Sequence, residues 1–208
     1  MINFGFMPSK IDGTEHTFNV AKEIKLPDVY SYVKYLPKVL NQGSKPICVP
    51  CSVSCFINWR KNLDGNGNKL DHNVDLNAIY DSRSNGDDGM TFKEAFKFLR
   101  HSGVKTDFGV AKIGEYAKIG SELQAKQALI INGPCIGGLP VYDTNKDNFW
   151  KKHPGDSYIG GHAVALVGYN KDGFILRNSW GERYGKNGYT TLPYDDFEKF
   201  FELWTVVN

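Results

Sequence analysis

Long apolar runs are missing from this chain of 208 residues, and no uninterrupted stretch approaches the length of a membrane span, so no membrane partner is expected. The opening residues, Met1-Ile2-Asn3-Phe4-Gly5-Phe6-Met7-Pro8, carry no basic leader, no apolar core and no small-residue cleavage site, so no secretory signal is expected either. Charge of one sign is scarce. Twenty-five basic against 23 acidic residues leave a net charge of +2, which gives no reason to invoke nucleic acid as a partner. Cysteines number only four, at 48, 51, 55 and 135. Cys51 and Cys55 are one helical turn apart, a spacing that rarely meets disulfide geometry. All four are read as reduced, which suits an intracellular protein, cytoplasmic or virion-associated. Internal repeats and low-complexity tracts are absent as well. What the chain does have is 41% apolar and 13% aromatic residues, enough for a packed core in one sizeable unit or two small lobes sharing a cleft.

Local signals divide the chain. Residues 1 to 40 hold Pro8, Pro27 and Pro37 and read as an extended lead-in, anchored in its second half by Val29, Tyr32, Tyr35, Leu36, Val39 and Leu40. A helix is expected from Cys48 to Lys61, with Pro50 tolerated in the first turn, where its missing N–H is not needed. It stops at the turn cluster Leu63-Asp64-Gly65-Asn66-Gly67-Asn68. Further helices are expected over 75–83, from Thr91 (which forms a capping box with Glu94) to Gly103, and over 121–131. After Pro134 the character turns to β, with strands expected at 135–141, 162–169, 174–177, 189–192 and 203–207 and one helix over 194–201. The organisation expected is a lead-in (1–40), a helical lobe (41–133) and a β-rich lobe (134–208). Together they form one α+β domain.

The chemistry-bearing residues fall at the joints of that plan. Two β runs linked by a turn at Asn170 to Gly173 put His162 at the start of one strand and Asn178 at the end of the next. Antiparallel pairing brings both side chains to one end of the sheet, where an imidazole and a carboxamide suit a catalytic base and its orienter. Gly160 and Gly161 let a substrate backbone approach the ring, and Trp180 is placed to shield the Asn–His contact. Cys48 opens a helix, a position that favours the thiolate. Gln42, six residues earlier, offers a side-chain donor to an oxyanion beside the cysteine amide. Cys51 is a rival nucleophile, three residues too late for that spacing. Cys48, Cys51 and Cys55 stand in a row on one helix and make no tetrahedral cage. The Gly65–Asn68 loop lacks the terminal glutamate of a calcium loop, and Asp87-Asp88 reads as a solvated turn, so no metal is expected.

Gln42, Cys48, His162 and Asn178, in that order and with these neighbours, resemble the papain-like cysteine peptidases. The likeness runs from about Leu26 to Asn208 and is strongest from Gly161-His162-Ala163-Val164 through Asn178-Ser179-Trp180-Gly181 to Gly188-Tyr189. The resemblance implies a two-lobed fold, a helical left lobe beside an antiparallel, barrel-like β lobe, with the active site in the cleft between them. It implies a polypeptide substrate and no cofactor, with Cys48 as nucleophile, His162 as base and acid, Asn178 as orienter and Gln42 as oxyanion donor. Gly89, within Asp88-Gly89-Met90-Thr91, would bind the substrate main chain. Met90 and Gly161 would border a side-chain pocket, and Trp180 and Tyr184 would line the cleft. The chain departs from the family's usual pattern around the cysteine, with Pro46-Ile47 before it, Val49-Pro50 after it, and Lys45 where a disulfide cysteine usually stands. At most about 25 residues precede the likeness, so no full-length inhibitory propeptide and no zymogen control are expected. The alternative is a catalytically weak or inactive papain-like module that binds within a larger assembly.

Overall fold

Cys48 opens α1 (Cys48–Asp64), and every residue from Cys48 to Trp59 is buried. A helix covered on all sides belongs in the interior, and α1 lies against the long strand that carries His162. The computed structural model describes residues 4–20, 24–65, 69–84, 89–143 and 148–207. The Asp87-Asp88 turn and the 66–68 part of the glycine-asparagine loop lie outside the described residues.

Along the chain, β1 (Tyr30–Ser31) precedes α1, and α2 (Leu76–Asp81) follows it, capped by the Asp75 carboxylate. In α3 (Phe92–His101) the Thr91 hydroxyl accepts from the Glu94 N–H while the Glu94 carboxylate accepts from the Thr91 N–H. A small hairpin, β2 (Val104–Thr106) and β3 (Gly109–Ala111), leads to β4 (Glu115–Lys118) and to α4 (Glu122–Asn132), capped by Ser121. The remaining strands are β5 (Cys135–Tyr142), β6 (Tyr158–Asn170), β7 (Gly173–Arg177), β8 (Tyr189–Leu192) and β9 (Glu202–Val207). A 3-10 turn at Tyr194–Lys199 stands where the sequence predicts a longer helix.

The main sheet runs in the order β4-β9-β5-β6-β7-β8, with β1 added to β6, and every pairing is antiparallel. Two features depart from the sequence reading. The hairpin β2–β3 and strand β4 lie in the stretch read as helical, and β4 joins the sheet beside the C-terminal strand β9. Strand β6 also begins at Tyr158, so His162 sits inside the strand, opposite Leu139 of β5, and not at its start. The reason is pairing: β5 is long enough to extend β6 upstream, through two glycines that local propensity counts against a strand. The β6–β7 register still runs from Ala165 opposite Arg177 to Asn170 opposite Gly173, so His162 and Asn178 emerge at the same end. The architecture is α+β. Helices α1 and α4 pack on β6, and Trp150, Trp204, Phe92, Phe96 and Phe174 are fully buried around them.

Candidate active site

Arg177, at the end of β7, is buried and donates to the carbonyls of Pro37 and Lys38 at 2.9 and 2.8 Å, which pins the loop leading to Gln42. Two backbone bonds complete the seam, Gln42 N–H to the Ser179 carbonyl at 2.8 Å and Gly181 N–H to the Leu40 carbonyl at 2.9 Å. The Gln42 carboxamide is oriented from both ends. Its oxygen accepts from the Ser179 hydroxyl at 2.6 Å, and its nitrogen donates to the Lys45 carbonyl at 3.0 Å. That connection delivers Gln42 to the start of α1.

There Cys48 is fully buried, its thiol beside the backbone amides of Ala163 and Gly5, which oppose the effect of burial on its pKa. The Ala163 contact sets the thiol beside His162, its neighbour in β6. The His162 ring is held by a 2.7 Å bond between Nε2 and the Asn178 side-chain oxygen, which also accepts from the Ser179 N–H at 2.7 Å. Asn178 is fixed in turn by its N–H to the Gly188 carbonyl at 3.0 Å. Trp180 stacks on the imidazole with ring centroids 4.6 Å apart, Phe149 meets it edge-on at 5.4 Å, and Tyr184 packs edge-on against Trp180 at 5.0 Å. Among the described residues His162 Nδ1 has no hydrogen-bond partner. Asn178 Nδ2 and Trp180 Nε1, in the same site, are likewise without a partner among the described residues. Cys51, one turn into α1, lines a small cavity shared with Cys55, Arg177 and Asn178.

The chain's own first described residues fill the cleft over these groups. Phe6 bridges Gly161 on one side and Met90 on the other, through Phe6 N–H to the Gly161 carbonyl at 3.3 Å, Met90 N–H to the Gly5 carbonyl at 2.8 Å and Met7 N–H to the Met90 carbonyl at 3.1 Å. The Phe6 ring is buried against Phe92, centroids 4.9 Å apart, and over Gly138, where any Cβ would collide with it. Gly5 lies so close to the Pro46 carbonyl that it too has no room for a Cβ. Phe4 meets His162 and Trp180 edge-on at 6.3 and 6.2 Å. Gly89 is covered by Met7. The lead-in is short, but four residues suffice to pair with both walls of a cleft.

Closure sets the electrostatics. Burial pushes the Cys48 thiol up to about 11 and brings the His162 imidazole down to about 4, the latter opposed by its bond to Asn178. In this closed form both groups are neutral at neutral pH. No group of three or more His, Cys, Asp or Glu side chains among the described residues is gathered for a metal ion. No helix among them is long and apolar enough to cross a membrane.

Of the residues singled out from the sequence, Gln42 and Asn178 are joined through Ser179, His162 is held by Asn178 and Trp180, Tyr184 packs on Trp180, and Gly161 and Met90 are bridged by residues 5–7. Sequence reasoning missed Phe4 to Met7, Phe149, Gly138 and Ser179. Only Ser179, inside the Asn-Ser-Trp-Gly stretch, carried a signal that could have pointed to it.

A family model described as papain family cysteine protease matches residues 100–199. An uncharacterized peptidase C1-like protein of Acanthamoeba polyphaga mimivirus is 38% identical over 80 residues, 33% of this chain and 25% of that protein. Cathepsin 7 of Mus musculus is 25% identical across 81% of this chain and 61% of its own length. The chain thus spans between a quarter and about three-fifths of these curated relatives. Among solved structures, xylellain, a cysteine protease from Xylella fastidiosa, superposes with a TM-score of 0.83 at 20% identity, covering 99% of this chain and 96% of its own. Procathepsin B S9 from Trypanosoma congolense gives 0.79 at 14% identity, covering 100% and 87%. Over residues 100–199 in sequence, and over nearly its whole length in fold, this chain is similar to the papain-family cysteine proteases.

Proposed function

We propose that this chain is a cysteine peptidase that hydrolyses peptide or amide bonds of polypeptides through a thioester on Cys48. The observation that carries the reading is the His162 ring. Its Nε2 is tied to Asn178, its Nδ1 is left without a partner among the described residues, and its strand neighbour Ala163 touches the Cys48 thiol. In this reading His162 takes the Cys48 proton, and the thiolate attacks the carbonyl carbon. The Cys48 N–H at the helix start and the Gln42 carboxamide stabilise the oxyanion. His162 then protonates the leaving amine and activates the water that releases the acid. Asn178 keeps the ring in line, and Trp180 keeps water from the Asn–His bond. Gly89 binds substrate main chain, Met90 and Gly161 border the side-chain pocket, and Tyr184 supports Trp180. Four free cysteines support a reducing, intracellular setting.

Substrate enters only when Phe4 to Met7 leave the cleft. Opening rehydrates both groups, lifts the His162 pKa and lowers that of Cys48, which allows the thiolate–imidazolium pair to form. The filled cleft also favours a second reading, an inactive papain-like binding module. One experiment separates the two. Wild type and Cys48→Ala, each with and without residues 1–7, are assayed on a peptide-amide library, alongside labelling of Cys48 by a peptidyl epoxide or iodoacetamide at mildly acid pH. The peptidase reading expects turnover and labelling in the shortened wild type, and neither in Cys48→Ala. No turnover and no labelling in the shortened wild type would leave the module. Activity that survives Cys48→Ala but is lost in Cys51→Ala would move the nucleophile to Cys51.

A further inference from the structure

Hydrolysis leaves Cys51 without a task, yet this thiol stands three residues after Cys48 in Cys48-Val49-Pro50-Cys51, at the start of a helix. Cα atoms three apart on an α-helix are about 5 Å from each other, within the range a disulfide spans. Four apart, as in Cys51 and Cys55, the separation is about 6 Å, so distance alone does not choose between the two pairs. The backbone does. Cys55 lies in the helix interior, where a shift breaks ladder bonds on both sides. Cys48 is the first helical residue, with Ile47 before it offering no side-chain cap. The first ladder bond is that of Cys51 N–H to the Ile47 carbonyl at 3.0 Å, and Pro50 has no N–H to contribute. The turn between the two thiols can therefore adjust at little cost in hydrogen bonds. The thiols also feel each other. Burial raises the Cys51 pKa first and the neighbouring Cys48 raises it further, while the Arg177 guanidinium across the small cavity opposes both.

We propose that Cys48 and Cys51 form a reversible disulfide that switches the nucleophile off, with a small-molecule disulfide of the glutathione type as oxidant. The switch rests on the reading of Cys48 as nucleophile, whereas the bridge does not. The Cys48 thiolate attacks one sulfur of the oxidant, forming a mixed disulfide and expelling one thiolate. The Cys51 thiolate then attacks the Cys48 sulfur and expels the second. Two protein thiols are oxidised, one external disulfide is reduced to two thiols, and the two protons end on the expelled thiols. A dithiol reverses the sequence. Phe4 to Met7 cover Cys48, so oxidation, like hydrolysis, proceeds from the open cleft.

The test uses the full chain, Phe6→Ala (which uncovers the thiol) and Cys51→Ser, each equilibrated with excess glutathione disulfide, alkylated with iodoacetamide and digested with trypsin. Cys48, Cys51 and Cys55 fall on one peptide, Val39 to Arg60. The expected result is a peptide short of two hydrogens with one alkylated cysteine, whose fragments place the bridge between Cys48 and Cys51. Hydrolysis should fall about ten-fold or more as the bridge forms, since the thiol is the nucleophile, and return with dithiothreitol. Reduced Cys51→Ser should hydrolyse as wild type does, and on oxidation stop at a glutathione adduct on Cys48. No bridge in either the full chain or Phe6→Ala, or a bridge mapped to Cys51 and Cys55, would overturn the switch. A Cys48–Cys51 bridge in a reduced-inactive protein would instead leave the pair standing and sink the peptidase reading. Hydrolysis without a bridge would sink the switch alone.

Discussion

Asn178 is the residue at which alignment and binding come apart most cleanly. Its side-chain oxygen holds His162 Nε2 at 2.7 Å, while its own backbone is fixed independently through Gly188. Asn178→Ala removes the first bond and keeps the second. Turnover should drop about ten- to a hundred-fold, within the usual reach of base alignment, with KM little changed. Steady-state kinetics on the shortened chain read both, and a loss confined to KM would contradict an orienting role. Cys48, His162 and Asn178 were legible because each sits at a local signal (a helix start, a pair of glycines, a strand end), and Gln42 because of its six-residue spacing to Cys48. Phe149 meets His162 edge-on without any such signal. Gly138 makes room for the Phe6 ring, a fact written in tertiary contact and not in its own neighbours.

Among the elements, the lead-in is the one whose role the sequence hid most completely. Its pairing partners, Met90 and Gly161, lie more than eighty residues downstream, so no periodicity near Phe6 betrays that it forms a strand-like rung. Beyond the cleft the same segment is tied down by Ser9 N–H to the Glu202 carboxylate at 2.9 Å. Lys93 on α3 pairs with Asp12 and Glu15, and Phe18 N–H reaches the Lys118 carbonyl at 2.8 Å. Magnitude decides which of these holds the cleft shut. The Lys93–Glu15 pair is largely covered, at 14% and 9% side-chain exposure, but it lies outside the cleft, whereas truncating the packed Phe6 within the cleft costs about 3–5 kcal/mol. Phe6→Ala should therefore raise the open population, read as the alkylation rate of Cys48, by about a hundred-fold or more, as that energy implies. Lys93→Ala should change it far less. Equal effects from the two variants would place the hold in the charge pairs. Helices fared better than this segment, because Asp75, Thr91 and Ser121 announce their caps in sequence. Short strands such as β4 exist only because a neighbouring strand offers its edge.

At the scale of the molecule, the α+β class followed from helix signals giving way to strand signals near Pro134. The return of β4 to the sheet beside β9 followed from nothing local. That closed arrangement carries a pH signature. The His162 pKa lies at about 4 against an ordinary value of 6.5, lowered first by burial, so the closed fold holds the ring neutral. Once the chain opens or unfolds, the ring binds its proton below 6.5. Between those two values the unfolded state carries more protons than the folded one, and stability rises with pH. The contribution is thus complete above pH 6.5 and is lost as pH falls through 4, a span of 2.5 units. At 1.36 kcal/mol per unit this amounts to at most about 3 kcal/mol. Cys48 acts at the other end. Burial raises it from 9.0 to about 11, so the closed fold loses stability as pH climbs from the first value through the second. Asp12, held near 2 chiefly by hydrogen bonds from Thr14, and Glu15, held near 2 chiefly by one from Lys93, begin to lose their own contribution only near their ordinary values of 3.8 and 4.5, and a His162 variant shares that loss. Denaturant titrations of wild type and His162→Gln, run at steps from pH 7 to pH 4, isolate the effect from the other histidines, which both proteins share. Wild type should lose stability relative to the variant across that window, as Phe4 to Met7 lift away from a charging ring. Parallel curves would mean that His162 is already open to water, and that the segment over it does not seal the cleft.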